Sequence, residues 1–315
     1  MEKTSGEETT GEKTTVTIRP VAPFDFELTA GYHTYFRGSY GTDSLSGGVY
    51  RRLLDLDGKL VLASVRSVGS VEAPELAVEL KAGGLTSGEA ESATAQVAWL
   101  LGIGQDLAPF YALAGQDPAM SAIVRRFHGL HLPHTASVFE ALVLAVLGQQ
   151  IASSVARIIR TLMIEAYGPR QSFDGETYYA FPRPEALGSQ SVERLRELKL
   201  SQRKAEYVKG IAEAALDGAS VLDRLESLTD DEVVQRVIGL RGVGQWTAQW
   251  VLIRALDRPD AFPPGDLALR RVVSRLFFGG EDLSDAQVVE FSRRWSPWRT
   301  FATVYLFAAL RDEMA

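Results

Sequence analysis

The stretch Leu240–Arg271 reads LRGVGQWTAQWVLIRALDRPDAFPPGDLALRR. It opens with a glycine pair, Gly242-Val243-Gly244, and runs straight into a helix-forming segment, Gln245–Leu256. A turn, Phe262-Pro263-Pro264-Gly265, then delivers a lone acid, Asp266, to the start of a second helical segment, Leu267–Leu276. The two glycines permit a left-handed backbone and leave the turn bare. The helix behind them aims its unsatisfied N–H groups and the positive end of its dipole at that turn. An anion fits there for the reason that anions sit at helix starts in general. Val243 anchors the turn in the core. Taken alone, a Gly-x-Gly is a plain link between packed helices. Here Thr247-Ala248 follows and helical patterns flank both sides, which points to a DNA backbone phosphate as the anion. Such a contact positions a protein without reading bases.

Asp266 has an ordinary role and a chemical one. A carboxylate just ahead of a helix caps it. The same restraint preorganises the group, and a fixed carboxylate can stabilise a sugar cation and orient an attacking water.

Outward from this stretch, composition bounds the rest. A chain of 315 residues has room for two domains, and its 46% hydrophobic content is that of a globular protein. No apolar run reaches the roughly 20 residues that a membrane span needs. The start, MEKTSGEETTGEKTT, has no apolar core and reads as a disordered tail over residues 1–15 rather than a signal peptide. The chain therefore reads as a cytoplasmic monomer, nucleoid-associated if bacterial. With no cysteine there are no disulfides, no thiolate catalysis, no cysteine-held zinc and no iron–sulfur cluster. The net charge of −7 weighs against nucleic acid, although part of the acid lies in the tail. Arg236, Arg241, Arg254, Arg258, Arg270, Arg271 and Arg275 are expected to give the motif stretch a positive neighbourhood. His128, His131 and His134 are spaced by three, but Gly129 and Pro133 break any helix that would align them, so a solvated linker is expected there rather than a metal site.

Residues 16–115 read as an α+β domain with an antiparallel sheet. Strands are expected at Val16–Pro20, Gly48–Leu54, Lys59–Val65 and Glu75–Leu80, with helices at Phe24–Tyr35 and Glu89–Leu101. Gly102-Ile103-Gly104 imitates the later glycine pair, but Pro109 stands where a second helix would run, so it reads as a helix stop. Residues 116–315 read as all-helical, in two subdomains around a cleft containing Asp266. A capping box is expected at Ser137–Glu140 and an amphipathic helix over Gln150–Tyr167.

With these motifs in order, the chain resembles the helix–hairpin–helix DNA glycosylase superfamily, and more closely its 3-methyladenine DNA glycosylase II, AlkA-like group. Leu147-Gly148-Gln149 is similar to that family's LGQ helix end, Phe181–Leu187 to its FPTPxxL linker, and Leu200–Tyr207 to its LxxxKAxxI helix. Gly242–Ala248 resembles GIGRWTA, Trp295–Arg299 resembles WKPWR, and Pro23–Phe26 resembles the Pro-aromatic-Asp-aromatic opening of the N-terminal domain. The resemblance covers nearly everything from residue 16 onward. It implies that Asp266 is catalytic and that Gly242, Val243, Gly244 and Thr247 hold DNA. Trp246, Trp250 and Phe307 would line the base pocket. Gln150 would fill the gap left by the extracted base, where some relatives carry Leu. No cofactor is implied beyond Na+ or K+ at the backbone of Leu240 and Gly242. Bifunctional relatives carry a lysine two places after the hairpin. Trp246 stands there, so no Schiff base and no strand cleavage are expected.

The expected partner is double-stranded DNA containing damaged bases, with no membrane partner. The leading expectation is a monofunctional hydrolase that flips out cationic alkylated purines such as 3-methyladenine. A glycosylase for a deaminated or oxidised purine is the second reading. A non-catalytic DNA-binding module is the third, and a lone acid beside a phosphate grip counts against it.

Overall fold

A computed structural model describes residues 12–217 and 221–312. The N-terminal half holds strands β1 (Glu12–Ile18), β2 (Ser39–Tyr40), β3 (Asp43–Ser46), β4 (Val49–Leu56), β5 (Lys59–Ser67) and β6 (Leu76–Ala82), with helices α1 (Phe26–His33) and α2 (Ser87–Leu100). The strands form one antiparallel sheet in the order β1-β6-β5-β4-β3-β2. β1 starts at Glu12, so the tail expected over residues 1–15 gives way to sheet at its end. Lys13-Thr14-Thr15 continues the β-branched run into a ladder against β6, with Val16 opposite Val78. Residues 1–11 lie outside the described residues.

Consecutive apolar pairs such as Leu53-Leu54 and Val61-Leu62 mean that both sheet faces are covered. Leu54, Val61, Val65, Val78 and Leu80 pack with Val97 and Leu100 of α2. Leu53 and Leu62 pack on the other face with Phe173 and Ala180. Phe173 ends the first strand, and Ala180 follows the second strand, of a hairpin, β7 (Arg170–Phe173) and β8 (Glu176–Tyr179), within the region expected to be all-helical. Asp174 and Gly175, with φ of 52° and 82°, make its turn.

The helical half comprises α3 (Ala108–Ala114), α4 (Pro118–Arg126), α5 (Val138–Gly148), α6 (Ser153–Tyr167), α7 (Pro184–Gly188), α8 (Val192–Arg196), α9 (Gln202–Leu216), α10 (Asp230–Val237), α11 (Gln245–Ala255), α12 (Leu267–Phe277), α13 (Asp285–Ser292) and α14 (Arg299–Asp312). Pro109 sits in the first turn of α3, where its missing N–H has no helical partner to lose, so it opens a helix rather than preventing one. α5, α9, α11, α12 and α14 enclose a core of Leu142, Val146, Val208, Val251, Val272 and Leu306, among others. Among the described residues no helix is long and apolar enough to cross a membrane.

The two halves are joined by buried polar contacts. Arg52 of β4 meets both Asp43 (3.0 Å) and Glu140 of α5 (2.8 Å). Glu140 thus faces Arg52 and the Ala136 N–H rather than closing the expected box, while Ser137 still caps α5. The expected solvated linker is also corrected. His131 bonds the Gly102 and Pro23 carbonyls, and His134 stacks on Trp99 at 4.2 Å and meets Asp257 at 3.1 Å. Both rings are buried, because these two side chains fill the seam between the halves. His128 alone is exposed, against Glu72. No cluster of His, Asp or Glu able to hold a metal occurs among the described residues.

Candidate active site

α10 and α11 flank the glycine turn. Gly242 takes φ +90°, and a Cβ there would sit 2.3 Å from the Tyr207 ring, so only glycine fits. Gly244 differs from expectation. Its backbone is extended, it begins α11 without a side-chain cap, and a Cβ would meet open space. The bare start of α11 leaves its first N–H groups facing outward. Val243 is buried, and its N–H donates to the Leu240 carbonyl at 3.1 Å. Thr247, expected to hold DNA, is buried. It accepts from Gln149 Nε2 (3.1 Å), which also donates to the Gly242 carbonyl (2.9 Å). Gln149 therefore ties the end of α5 to the turn. Gln150 beside it is exposed with φ +54°, in the loop before α6, so the helix expected from Gln150 begins only at Ser153.

The arginine cluster read along the chain is not one surface. Arg258 bonds the Glu226 and Leu228 carbonyls and Asp230, Arg270 faces Asp285, and Arg241 faces Glu206. Helical periodicity scatters these neighbours over several faces. Arg271 and Arg275 are exposed.

Asp266 caps α12. Its Oδ1 accepts the Ala268 and Leu269 N–H groups at 3.0 Å each, and its Oδ2 accepts the Trp246 indole N–H at 2.8 Å. Helix cap and indole fix both oxygens while the residue stays part-exposed. Trp246, expected to line the base pocket, also holds the acid through its indole N–H.

From Trp246 a wall of rings runs inward. Trp250 lies edge-on at 6.2 Å, and Phe307 of α14 follows at 5.5 Å. Arg311, one turn beyond Phe307, lies over that ring at 5.8 Å and closer over Tyr32 (4.1 Å) and Tyr35 (3.8 Å). These tyrosines belong to the N-terminal half. Tyr35 and Phe36 are both left-handed, with φ of 54° and 56°, a conformation costly for bulky residues and often kept at functional sites. Tyr35 stacks on Tyr40 at 4.3 Å, and Arg160 covers Tyr40 at 4.0 Å. Burial opposes ionisation of Tyr35, but Arg311, Arg160 and Arg254 outweigh it and bring its hydroxyl to about 8. Burial and the neighbouring Tyr35 push Tyr40 up to about 12. A separate cleft of about 1030 Å³, lined by Arg52, Glu140 and Arg183 among others, lies at the seam and shares no residue with the ring wall.

Sequence reasoning missed Gln149, Tyr32 and Arg311. Two had a signal: Gln149 lies inside the LGQ motif, and Arg311 is four residues from Phe307 on one helix face. Tyr32 had none, since nothing local says that α1 reaches the helical half.

Residues 143–297 match the family model described as HhH-GPD superfamily base excision DNA repair protein. The chain is 33% identical over 205 residues to a DNA-3-methyladenine glycosylase of Bacillus subtilis, covering 65% of this chain and 68% of that one. It is 30% identical over 308 residues to a probable bifunctional transcriptional activator/DNA repair enzyme AlkA of Mycobacterium tuberculosis, covering 96% of this chain but only 59% of the relative. The solved 3-methyladenine DNA-glycosylase of Archaeoglobus fulgidus superposes with a TM-score of 0.83 at 29% identity, over 95% of this chain and 99% of that one. Hairpin, capped acid and ring wall thus occur together on a shared architecture, and the chain belongs to the HhH-GPD superfamily of base excision DNA repair proteins, in its DNA-3-methyladenine glycosylase group.

Proposed function

We propose that this protein hydrolyses the N-glycosidic bond of alkylated purines, 3-methyladenine among them, in double-stranded DNA, and leaves the strand uncut. The observation that carries the reading is Asp266, whose two oxygens are fixed by a helix start and an indole at the near end of a ring wall. The outward N–H groups at the start of α11 grip a backbone phosphate. The damaged nucleotide flips out, at a cost of a few kcal/mol. Stacking against Trp250 and Phe307 offsets this by about 1–3 kcal/mol per base. A cationic base leaves with the electron pair of the C1′–N bond and becomes neutral. The Asp266 carboxylate stabilises the sugar cation that remains. Water adds to C1′ and releases its proton to solvent. Gln150, exposed at its loop tip, fills the vacated space in the duplex.

The reading has a monomer act on DNA, in the cytoplasm at the nucleoid. A bridging Na+ or K+ would be held by the Leu240 and Gly242 carbonyls. Each accepts one hydrogen bond already and keeps a second lone pair, so the fit is acceptable.

The test is release of free base from a methylated duplex by wild type and by Asp266→Asn. Asparagine also caps helices well, so stability is retained while the charge is lost. Base release falls on the order of a thousandfold, and strand breaks in the wild-type reaction appear only after alkali. Equal release by both proteins would reduce Asp266 to a cap and overturn the mechanism.

A further inference from the structure

Three guanidinium groups converge on one tyrosine behind the ring wall. Arg311 of α14 lies over the Tyr35 ring at 3.8 Å. Arg160 of α6 lies over Tyr40 of β2 at 4.0 Å, and Tyr40 stacks on Tyr35 at 4.3 Å. Arg254 of α11 adds its charge at both Tyr32 and Tyr35. Arg160 Nε, Arg254 Nε and Arg311 Nη1 are buried without a hydrogen-bond partner, and none of the three side chains has a carboxylate partner among the described residues. The acids of this region are engaged elsewhere. Asp43 and Glu140 hold Arg52, while Asp266 holds the start of α12 and the Trp246 indole. Charges withdrawn from water are ordinarily paired. Tyr35 faces all three cations and carries a proton that it can give up.

The surroundings suit a phenolate at Tyr35. Burial and Tyr35 itself push the Tyr40 hydroxyl up to about 12, so Tyr40 keeps its proton and donates it in a hydrogen bond to the Tyr35 oxygen. Burial also raises the Tyr32 hydroxyl, which stays neutral. Burial opposes ionisation of Tyr35 too, but the three guanidinium groups bring it to about 8. A left-handed backbone, with φ of 54°, holds the ring in this position. Arg311 supplies the need for such a charge. It lies 5.8 Å over Phe307, one of the rings against which the flipped base stacks. A guanidinium there repels a cation placed on the same ring. A phenolate against the guanidinium removes that net charge.

We propose that Tyr35 is the ionising counter-charge of Arg311: as a phenolate it cancels the guanidinium behind the ring wall and lets the pocket accept a cationic purine. The proposal rests on the alkylpurine reading. Tyr35 acts through Arg311 and is a positioning residue. Its proton leaves to solvent, and no bond of the substrate is involved.

Release of 3-methyladenine from a methylated duplex, followed from about pH 6.5 to 9.5, tests this. Wild-type kcat/KM is expected to rise about tenfold through a pH of about 8. Tyr35→Phe keeps a ring beneath Arg311 and has no proton to lose, so its profile stays level at the wild type's low-pH value. Arg311→Gln removes the charge to be cancelled, and its profile is level as well. Ultraviolet absorption reads the tyrosinate directly. One ionisation at about 8 is expected in the wild type, absent from Tyr35→Phe and moved to higher pH in Arg311→Gln. If Tyr35→Phe fails to fold, that displacement decides, and an unmoved ionisation overturns the proposal. A level wild-type profile, or a rise that persists in Tyr35→Phe, would also overturn it and leave the glycosylase reading standing. So would a matching rise in affinity for a duplex with an abasic site, which places no base in the pocket. Release of no base at any pH would overturn both.

Discussion

Replacing Trp246 with Phe keeps a ring in the wall and removes the indole N–H that meets Asp266 Oδ2 at 2.8 Å. A hydrogen bond to a charged group contributes about 1.5–3 kcal/mol, so kcat falls about 10- to 100-fold. KM stays close to wild type, because the stacking rings remain Trp250 and Phe307. Single-turnover base release measures both constants, and a rise in KM alone would show that Trp246 binds the base without holding the acid. At this scale the reading from sequence was partial for a physical reason. Asp266 and its capping role follow from the two or three residues around it. The indole partner is twenty residues away, and only the angle between α11 and α12 decides whether Trp246 turns its N–H or its face to the acid.

At the scale of elements, the two glycines of the hairpin separate. Gly242→Ala forces a left-handed alanine, a strain of about 1–3 kcal/mol, and drives its Cβ into Tyr207. Gly244→Ala enters open space in extended backbone and costs about 0.5 kcal/mol or less. Thermal melts of the two variants therefore diverge, and DNA affinity falls further for Gly242→Ala because α9 must move with Tyr207. Identical melts would mean that Tyr207 swings away freely. The hairpin β7–β8 shows what element-level reading misses. Its Asp174-Gly175 turn and the Tyr178-Tyr179 strand were legible, but a helical stretch on both sides drew them into an all-helical expectation. Its partner surface, Leu53 and Leu62, lies more than a hundred residues earlier, and the Leu53-Leu54 and Val61-Leu62 doublets already imply a cover on the second sheet face.

For the whole molecule, buried histidines set the response to acid. His33 is buried beside Asp43, Arg52 and Arg254, and burial holds its pKa down to about 4 against an ordinary 6.5. Above pH 6.5 the ring is neutral whether the chain is folded or not. Between 6.5 and 4 only the unfolded chain takes up the proton, so stability falls as pH drops through that window, by about 3 kcal/mol from this group. Burial lowers His131 as well, and it acts in the same direction. Urea titrations of wild type and His33→Gln converge as the pH is lowered from 6.5 to 4, whereas parallel curves would assign the loss to other groups.

The seam that buries these groups also dictates a schedule. Arg52 and its partner Glu140 stand 88 residues apart, and His134 and Asp257 stand 123 apart. A ribosome adding about 5–20 residues per second leaves Arg52 without Glu140 for roughly 4–18 s. During that interval the nascent sheet holds a guanidinium that only half of its carboxylate clasp can neutralise, and its Tyr32 and Tyr35 rings have no Arg311 between them. The half made first thus settles late: its seam closes only after Glu140 and Asp257 have followed, and its tyrosines are filled only after α14 has.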